Sequence, residues 1–373
     1  MHMKKVLLIA AAVVAAMTAC TKVNPTGDAQ REISFEVANS LTKATGSVYD
    51  NGAFGSYAWF NNTDDFMVNE QVDKVGGVWK TVDHTFYWPK TGSISFISYS
   101  PFAGTSDTAG SVPAITKNSI TYTGITAGST DLMYADRATC SSNVNEVTDS
   151  DTADSGFSGV PTVFRHALAK LSFKIKANFV EYTDPTTNTK TEWEVKVTSA
   201  KIGGFKTTGN CALALNADGK SWDKPVTTVG TTDYNVWTNL SGASAEQELI
   251  DATTYPSGVI LTTSAQDLAA ASGYVMPQVL AADTQQLKLT VHIKTTLSNG
   301  KEINEDFNPT IDIMDISSLK AWQMNENIVY TINIKPTAIA DPNNNDNPND
   351  VIITFDPAVA DWTVVDANAT IQL

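Results

Sequence analysis

The sequence contains few of the residues that build metal and redox sites. Its 373 residues include four His and three Cys, none of them in a C-x-x-C or H-E-x-x-H spacing. The absence of any G-x-G or G-x-S-x-G motif excludes the dinucleotide fingerprint and the hydrolase nucleophile elbow. Gly219-Lys220-Ser221 matches only the end of a P-loop, because Ala214 replaces the required glycine, and Asp218-Gly219 predicts a hairpin turn. We therefore expect no metal, no cofactor and no enzymatic activity.

Basic residues are also scarce. The 25 Lys and Arg residues stand against 40 Asp and Glu residues, and the formal net charge of -15 argues against binding of nucleic acid or of an anionic membrane surface. Charged residues make up only 17% of a chain that is poor in strong helix formers and rich in strand and turn residues. This composition predicts an all-β protein.

The N-terminus has the pattern of a secretory signal. Lys4 and Lys5 precede an apolar run from Val6 to Ala16, and the small-residue segment Met17-Thr18-Ala19 leads to Cys20. The spacing resembles a bacterial lipobox, so we expect residues 1–19 to be a removed signal peptide, Cys20 to carry the lipid anchor and residues 20–31 to form a tether. The alternative is an ordinary signal peptide with a chance cysteine at its end. Beyond this region no apolar segment is long enough to span a membrane.

Apolar and polar residues alternate along most of the remaining chain, the period of a strand with one buried face. Turn residues separate these segments, and only the weak Leu-Ala-Ala-Ala run in Gln266–Ser272 suggests a short helix. The exported compartment allows a disulfide between Cys140 and Cys211, although we expect two unpaired buried thiols. Clear alternation occurs in Ile33–Val37, Leu171–Ile175, Trp193–Val197, Leu287–Ile293 and Tyr330–Ile334.

Two segments resemble a known family. Asp131-Leu132-Met133-Tyr134-Ala135 is followed by Val163–Phe173, which contains F-x-H-x-L-A-K-L. Together with the lipobox and Leu41–Gly46, they are similar to the fimbrillin-like lipoproteins of Bacteroidales, the subunits of protease-processed type V pili. The resemblance implies two transthyretin-like antiparallel β-sandwich domains in tandem, over residues 32–164 and 165–373. It also implies a structural subunit located in the outer membrane or pilus at the cell surface, with other pilus subunits and the outer membrane as partners.

The family also implies a polymerisation mechanism. Its subunits are cut after a basic residue near the N-terminus, which releases a strand and opens a groove, and the matching position here holds Lys43. An Arg-specific protease would not cut it, and Arg31 lies before Ile33, so that a cut there would leave the groove filled. In the family a C-terminal strand fills the groove of the next subunit. The corresponding alternating residues here are Val365, Ala367, Ala369, Ile371 and Leu373.

Three alternatives stay open at the level of sequence. His166 is the most conspicuous single candidate for chemistry, but a partly buried structural histidine is the simpler interpretation. A glycan-binding lipoprotein would need an exposed aromatic platform, and a non-polymerising envelope scaffold would need none. Whether the subunit is stalk, anchor or tip, and which host or bacterial ligand it binds, also stays open.

Thr108 and Thr152 lie in D-T-A motifs that match the O-glycosylation signal of this bacterial group. The candidate platform residues are Trp59, Phe60, Trp79, Tyr87, Trp88 and Tyr99.

We predict that Cys20→Ala leaves the precursor uncleaved or mislocalised. A diacyl pair holds a protein on a membrane more durably than a single chain, because each buried methylene contributes about 0.8 kcal/mol. Detergent partitioning of the variant measures this hold, and partitioning identical to that of the wild type would contradict lipidation at Cys20.

Overall fold

The computed structural model describes most of the chain between residues 32 and 370. These residues are nearly all strand, turn or irregular backbone, which confirms the all-β prediction. Among them, no helix has the length and apolar character needed to cross a membrane. The described residues are 32–39, 49, 51–89, 91–103, 112–141, 159–178, 183, 188, 190–268, 273–297, 300–316, 319–336, 351–359 and 369–370.

The strands up to residue 215 include two of twelve residues and several of only three or four. In chain order they are β1 (Phe35–Asn39), β2 (Phe54–Phe60), β3 (Asp64–Val75), β4 (Val78–Thr81), β5 (Ser93–Ser100), β6 (Ala114–Thr116), β7 (Ser119–Thr126), β8 (Met133–Ala135), β9 (Ala138–Ser141), β10 (Val160–His166), β11 (Ala169–Ala177), β12 (Glu192–Gly203) and β13 (Thr208–Leu215).

Most of the later strands have two to four residues, and three have nine to eleven. They are β14 (Trp222–Asp223), β15 (Val226–Val229), β16 (Thr232–Asn235), β17 (Thr238–Ser241), β18 (Gln247–Glu248), β19 (Val259–Ile260), β20 (Gln266–Asp267), β21 (Gly273–Val275), β22 (Gln278–Val279), β23 (Gln286–Thr296), β24 (Glu302–Phe307), β25 (Thr310–Asp312), the one-turn helix α1 (Ile313–Ile316), β26 (Ala321–Trp322), β27 (Asn327–Pro336), β28 (Val351–Val359) and β29 (Ala369–Thr370).

The chain divides into two compact units. The first consists of the described residues within Met1–Tyr122, Asp131–Arg165 and Ala212–Asp223, and the second of those within Thr123–Thr130, His166–Cys211 and Lys224–Leu373. Strands β7 and β13 each contribute residues to both units.

The main sheet of the first unit closes on itself. Its strands are hydrogen-bonded in the order β2-β3-β4-β1-β10-β8-β5, and β5 also pairs with β2, so seven strands form a barrel to which β9 is added. Closure satisfies the edges that an open sheet would expose. The sequence did not predict this closure, and the tandem transthyretin-like arrangement stays a prediction. Large side chains fill the barrel, among them Phe35, Tyr49, Phe54, Met67, Phe96 and Phe164.

The second unit is built on two sheets that share one hydrophobic core. In one sheet β11 lies parallel to β27, and β27 pairs in turn with β28. In the other, β12 and β23 form a long antiparallel ladder that β24 extends. Apolar residues from both sheets belong to the same buried cluster, which includes Phe173, Val195, Leu289 and Tyr330.

Several alternating segments form the expected strands. In β11 every second side chain from Ala169 to Ala177 is buried, and in β23 Leu287 to Ile293 show the same alternation. In β12 the register shifts by one residue between Val197 and Ser199, so the buried positions change phase from Val197 to Ala200. A bulge of this kind follows from cross-strand pairing and leaves no clear signal in the local pattern.

Two local predictions are confirmed and one is wrong. Cys140 and Cys211 are unpaired and buried, and burial raises the pKa of each thiol to about 12. Asp218 accepts hydrogen bonds from the backbone amides of Lys220 and Ser221, which makes this segment a turn. The helix predicted from Gln266 is wrong at its start, because β20 pairs there with β11.

The glycine that follows β12 gives a stability prediction. Gly204 has φ +81°, and a Cβ there would collide with the Thr284 carbonyl oxygen, whereas Gly300 has φ +80° and no atom of the described residues within 4 Å of that position. Gly300→Ala should lower the free energy of unfolding by about 1 kcal/mol, and Gly204→Ala by at least about 2 kcal/mol more, because the backbone must move. Denaturant midpoints of the two variants provide the comparison. Equal losses would contradict the close approach.

Candidate functional site

The first strand occupies the position that completes the barrel. β1 lies between β10, to which it is parallel over five register pairs, and β4, which it meets at the single pair Phe35 and Trp79. Just before the strand, the Ile33 amide donates a hydrogen bond to the Phe86 carbonyl at 2.9 Å. Removing β1 would therefore separate β4 from β10 and open the barrel along one side.

The inner face of this segment is apolar. The side chains of Ile33 and Phe35 are 1% and 4% exposed, and Val37 packs against the same core. The Phe35 ring makes edge contacts with Phe54 and Phe96, at centroid distances of 5.6 and 5.8 Å. Burial of two such side chains contributes on the order of 1.5–3 kcal/mol each.

One exposed ion pair links this segment to β4. Lys80 Nζ lies 3.5 Å from the Glu32 carboxylate, with about a third of each side chain exposed to solvent. Ion pairs of this kind typically add less than about 1 kcal/mol. The buried apolar side chains and the ladder with β10 therefore contribute more to holding the segment than the Lys80–Glu32 pair does.

Tyr49 is buried in the barrel core, and residues 40–48 lie outside the described part. Lys43 falls in that interval. Tyr49 is not among the site residues predicted from the sequence. The signal available was an aromatic residue soon after Lys43.

The C-terminal strands extend a sheet of the second unit. β28 pairs antiparallel with β27 over nine register pairs, and β29 pairs with β28 through Ala369 opposite Phe355 and Thr370 opposite Thr354. Ala369 is the one member of the predicted exchange strand that the structure describes. Val365, Ala367, Ile371 and Leu373 lie outside the described residues.

The other residues singled out from the sequence are three positions outside the described part and a set of aromatic side chains within it. Cys20, Thr108 and Thr152 lie outside the described residues. Trp59 and Tyr99 are buried, and Phe60, Trp79 and Trp88 pack against the core, so these residues form no exposed aromatic platform. Tyr87 is the exposed member of the set, at 44%.

Residues of the second motif segment make structural contacts. Arg165 donates two hydrogen bonds to the Asp136 carboxylate, at 2.9 and 2.7 Å, and this carboxylate raises the pKa of Arg165. The His166 amide donates to Asn325 Oδ1, and the Ala167 carbonyl accepts a bond from the Trp237 indole. These contacts fix the backbone. Within the described residues, moreover, no cluster of His, Cys, Asp or Glu could hold a metal ion.

Comparison with protein families identifies the class of protein. The fimbrillin-like family model matches residues 42–362, and the chain belongs to this family. A comparison with curated proteins found no match.

Solved structures similar to this chain include proteins of Bacteroides and Porphyromonas species. A candidate cell adhesion protein of Bacteroides uniformis is 19% identical with a TM-score of 0.41, and the alignment covers 91% of this chain and 100% of that one. A fimbrial protein of Bacteroides vulgatus is 16% identical with a TM-score of 0.46, over 89% and 100%. The fimbrial anchor protein Mfa2 of Porphyromonas gingivalis is 11% identical with a TM-score of 0.27, over 91% and 100%.

We predict that Phe35→Ala lowers the free energy of unfolding of the first unit by about 3–5 kcal/mol, because it leaves a cavity between two aromatic rings. Phe35→Leu, which keeps most of the apolar volume, should cost less. Chemical denaturation measures both variants. If Phe35→Ala unfolded at the wild-type midpoint, β1 would not be part of the core.

Proposed function

We propose that this protein is a structural, non-enzymatic subunit of a surface pilus that polymerises by exchanging a strand. Membership of the fimbrillin-like family supports the pilus role. The position of β1 carries the mechanism: this strand joins β4 to β10 within the closed barrel, and it lies before the segment that contains Lys43. A cut at Lys43 would separate the strand from the rest of the chain.

Loss of β1 would create a groove of defined chemistry. Its walls would be β4 and β10, and its floor would include Phe54 and Phe96, the rings that contact Phe35. The backbone groups of β10 that pair with β1 would lose their partners, which favours pairing with another strand. The groove would therefore accept an extended segment with apolar residues at alternate positions.

The C-terminal segment has that pattern. Val365, Ala367, Ala369, Ile371 and Leu373 alternate with polar residues, as Ile33, Phe35 and Val37 do at the other end. We propose that the segment is held on its own sheet through β29 before assembly and then fills the groove of the next subunit. Alanine in the Phe35 position would leave a cavity between the two rings. We therefore expect Ile371 or Leu373 to occupy that position.

The remaining features of the proposal concern export and domain structure. We propose that residues 1–19 are removed, that Cys20 is lipidated and that the outer membrane holds the precursor through this lipid. The two-domain organisation, with transthyretin-like sandwiches over 32–164 and 165–373, belongs to the same proposal. Other pilus subunits would then be the direct partners, and Thr108 and Thr152 would be candidate glycosylation sites.

The experiment is polymerisation of purified protein after limited cleavage at Lys43. Cleaved wild-type protein should form oligomers on size exclusion, because the groove is open and the C-terminal segment is present. Lys43→Gln should stay monomeric, whereas Lys117→Gln, at a surface lysine of the same unit, should behave as the wild type. Protein lacking residues 363–373 has a groove but no segment to donate, so it should only cap chains of the wild-type protein. A normally folded deletion variant that still polymerised would refute the exchange role, and so would a mature form that begins before Ile33.

A further inference from the structure

Tyr49 is the first described residue after Lys43 and is 4% exposed. Its ring stacks on Phe164, with centroids 4.8 Å apart and an angle of 21° between the planes. The ring also makes an edge contact with Trp79 at 5.4 Å and another with Phe54 at 6.1 Å. One side chain thus contacts three other aromatic rings of the barrel core.

Two of these partners belong to the strands on either side of β1. Trp79 lies in β4 opposite Phe35, and Phe164 lies in β10 beside Asn39. Tyr49 therefore connects the two neighbours of β1 through its own ring, independently of the β1 ladder. A cut at Lys43 would leave Tyr49 on the retained part of the chain.

The ring is held in place by groups outside β1. The Tyr49 hydroxyl and Ser100 Oγ lie 2.6 Å apart in a buried hydrogen bond. Asn51 Nδ2 donates to the same Ser100 oxygen and to the Asp131 carbonyl, each at 2.9 Å. Since these partners come from β5 and from the segment before β8, departure of β1 would leave them intact.

We propose that Tyr49 acts as a brace that keeps β4 and β10 one strand apart after β1 has left. A vacated core groove tends to collapse, because its apolar walls gain by contact with each other. A ring that contacts both walls opposes this collapse. A groove held at strand width has a smaller free-energy cost of reorganisation when a strand binds. The inference rests on the proposed release of β1, and it assigns Tyr49 as a positioning residue for the incoming strand.

The test measures rebinding of the protein's own first strand, which does not depend on the C-terminal segment. A recognition site for a sequence-specific protease replaces residues 41–46 in the full chain, and β1 is removed after cleavage. A fluorescent peptide of residues 32–40 is then titrated into the cleaved protein, and anisotropy gives its affinity. The variants are Tyr49→Ala, Tyr49→Leu and Tyr49→Phe, with Tyr122→Ala as the control for loss of a buried tyrosine elsewhere in the same unit.

Tyr49→Ala should weaken peptide binding by about tenfold or more, because one ring contact to each wall is lost. Tyr49→Phe, which retains the ring, should bind within about threefold of the wild type. Tyr122→Ala should bind the peptide more tightly than Tyr49→Ala.

Wild-type affinity in Tyr49→Ala would overturn the proposal that Tyr49 is a brace. If Tyr49→Ala fails to fold before cleavage, Tyr49→Leu decides the question, and wild-type binding by that variant would overturn the proposal equally. Failure of the wild-type protein to polymerise despite rebinding the peptide would instead count against the proposed function alone.

Discussion

The parallel ladder between β1 and β10 is the interaction on which the first unit depends. A barrel stays closed only if every strand edge is paired, and β1 is the strand that pairs β10 on one side and reaches β4 on the other. No tight hairpin joins β1 to either neighbour, because the ladder connects residues far apart in the sequence. A single cut in the following segment would therefore leave the strand that closes the barrel bound to it by non-covalent contacts alone.

The second unit places its last strands at the end of one ladder. β11 and β27 pair in parallel in the core, and β28 and β29 are added in succession beyond them. A strand added at the end of a sheet has neighbours on one side only, so its departure leaves the core ladder in place. Among the described residues, β29 is therefore paired with β28 alone, at the end of its sheet.

Local alternation was enough to predict strands such as β11 and β23, because one buried face imposes a period of two on the sequence. It could not predict the barrel. Closure requires that β2, which pairs with β3 along one edge, also pairs with β5 along the other. The bulge in β12 and the role of Tyr49 were missed for the same reason, since both depend on residues distant in sequence. The aromatic residues considered as a platform could not be judged from the sequence either, because composition does not distinguish a ring in the core from one at the surface.

We propose that β1 occupies a place which a strand of another subunit takes over. Electron cryomicroscopy of filaments assembled from protein cleaved at Lys43 tests it directly, because the strand between β4 and β10 can be traced to its source. We expect residues from the segment 363–373 of the neighbouring subunit to lie there, with a large aliphatic side chain between Phe54 and Phe96. Filaments in which β1 still lies between β4 and β10 would contradict it.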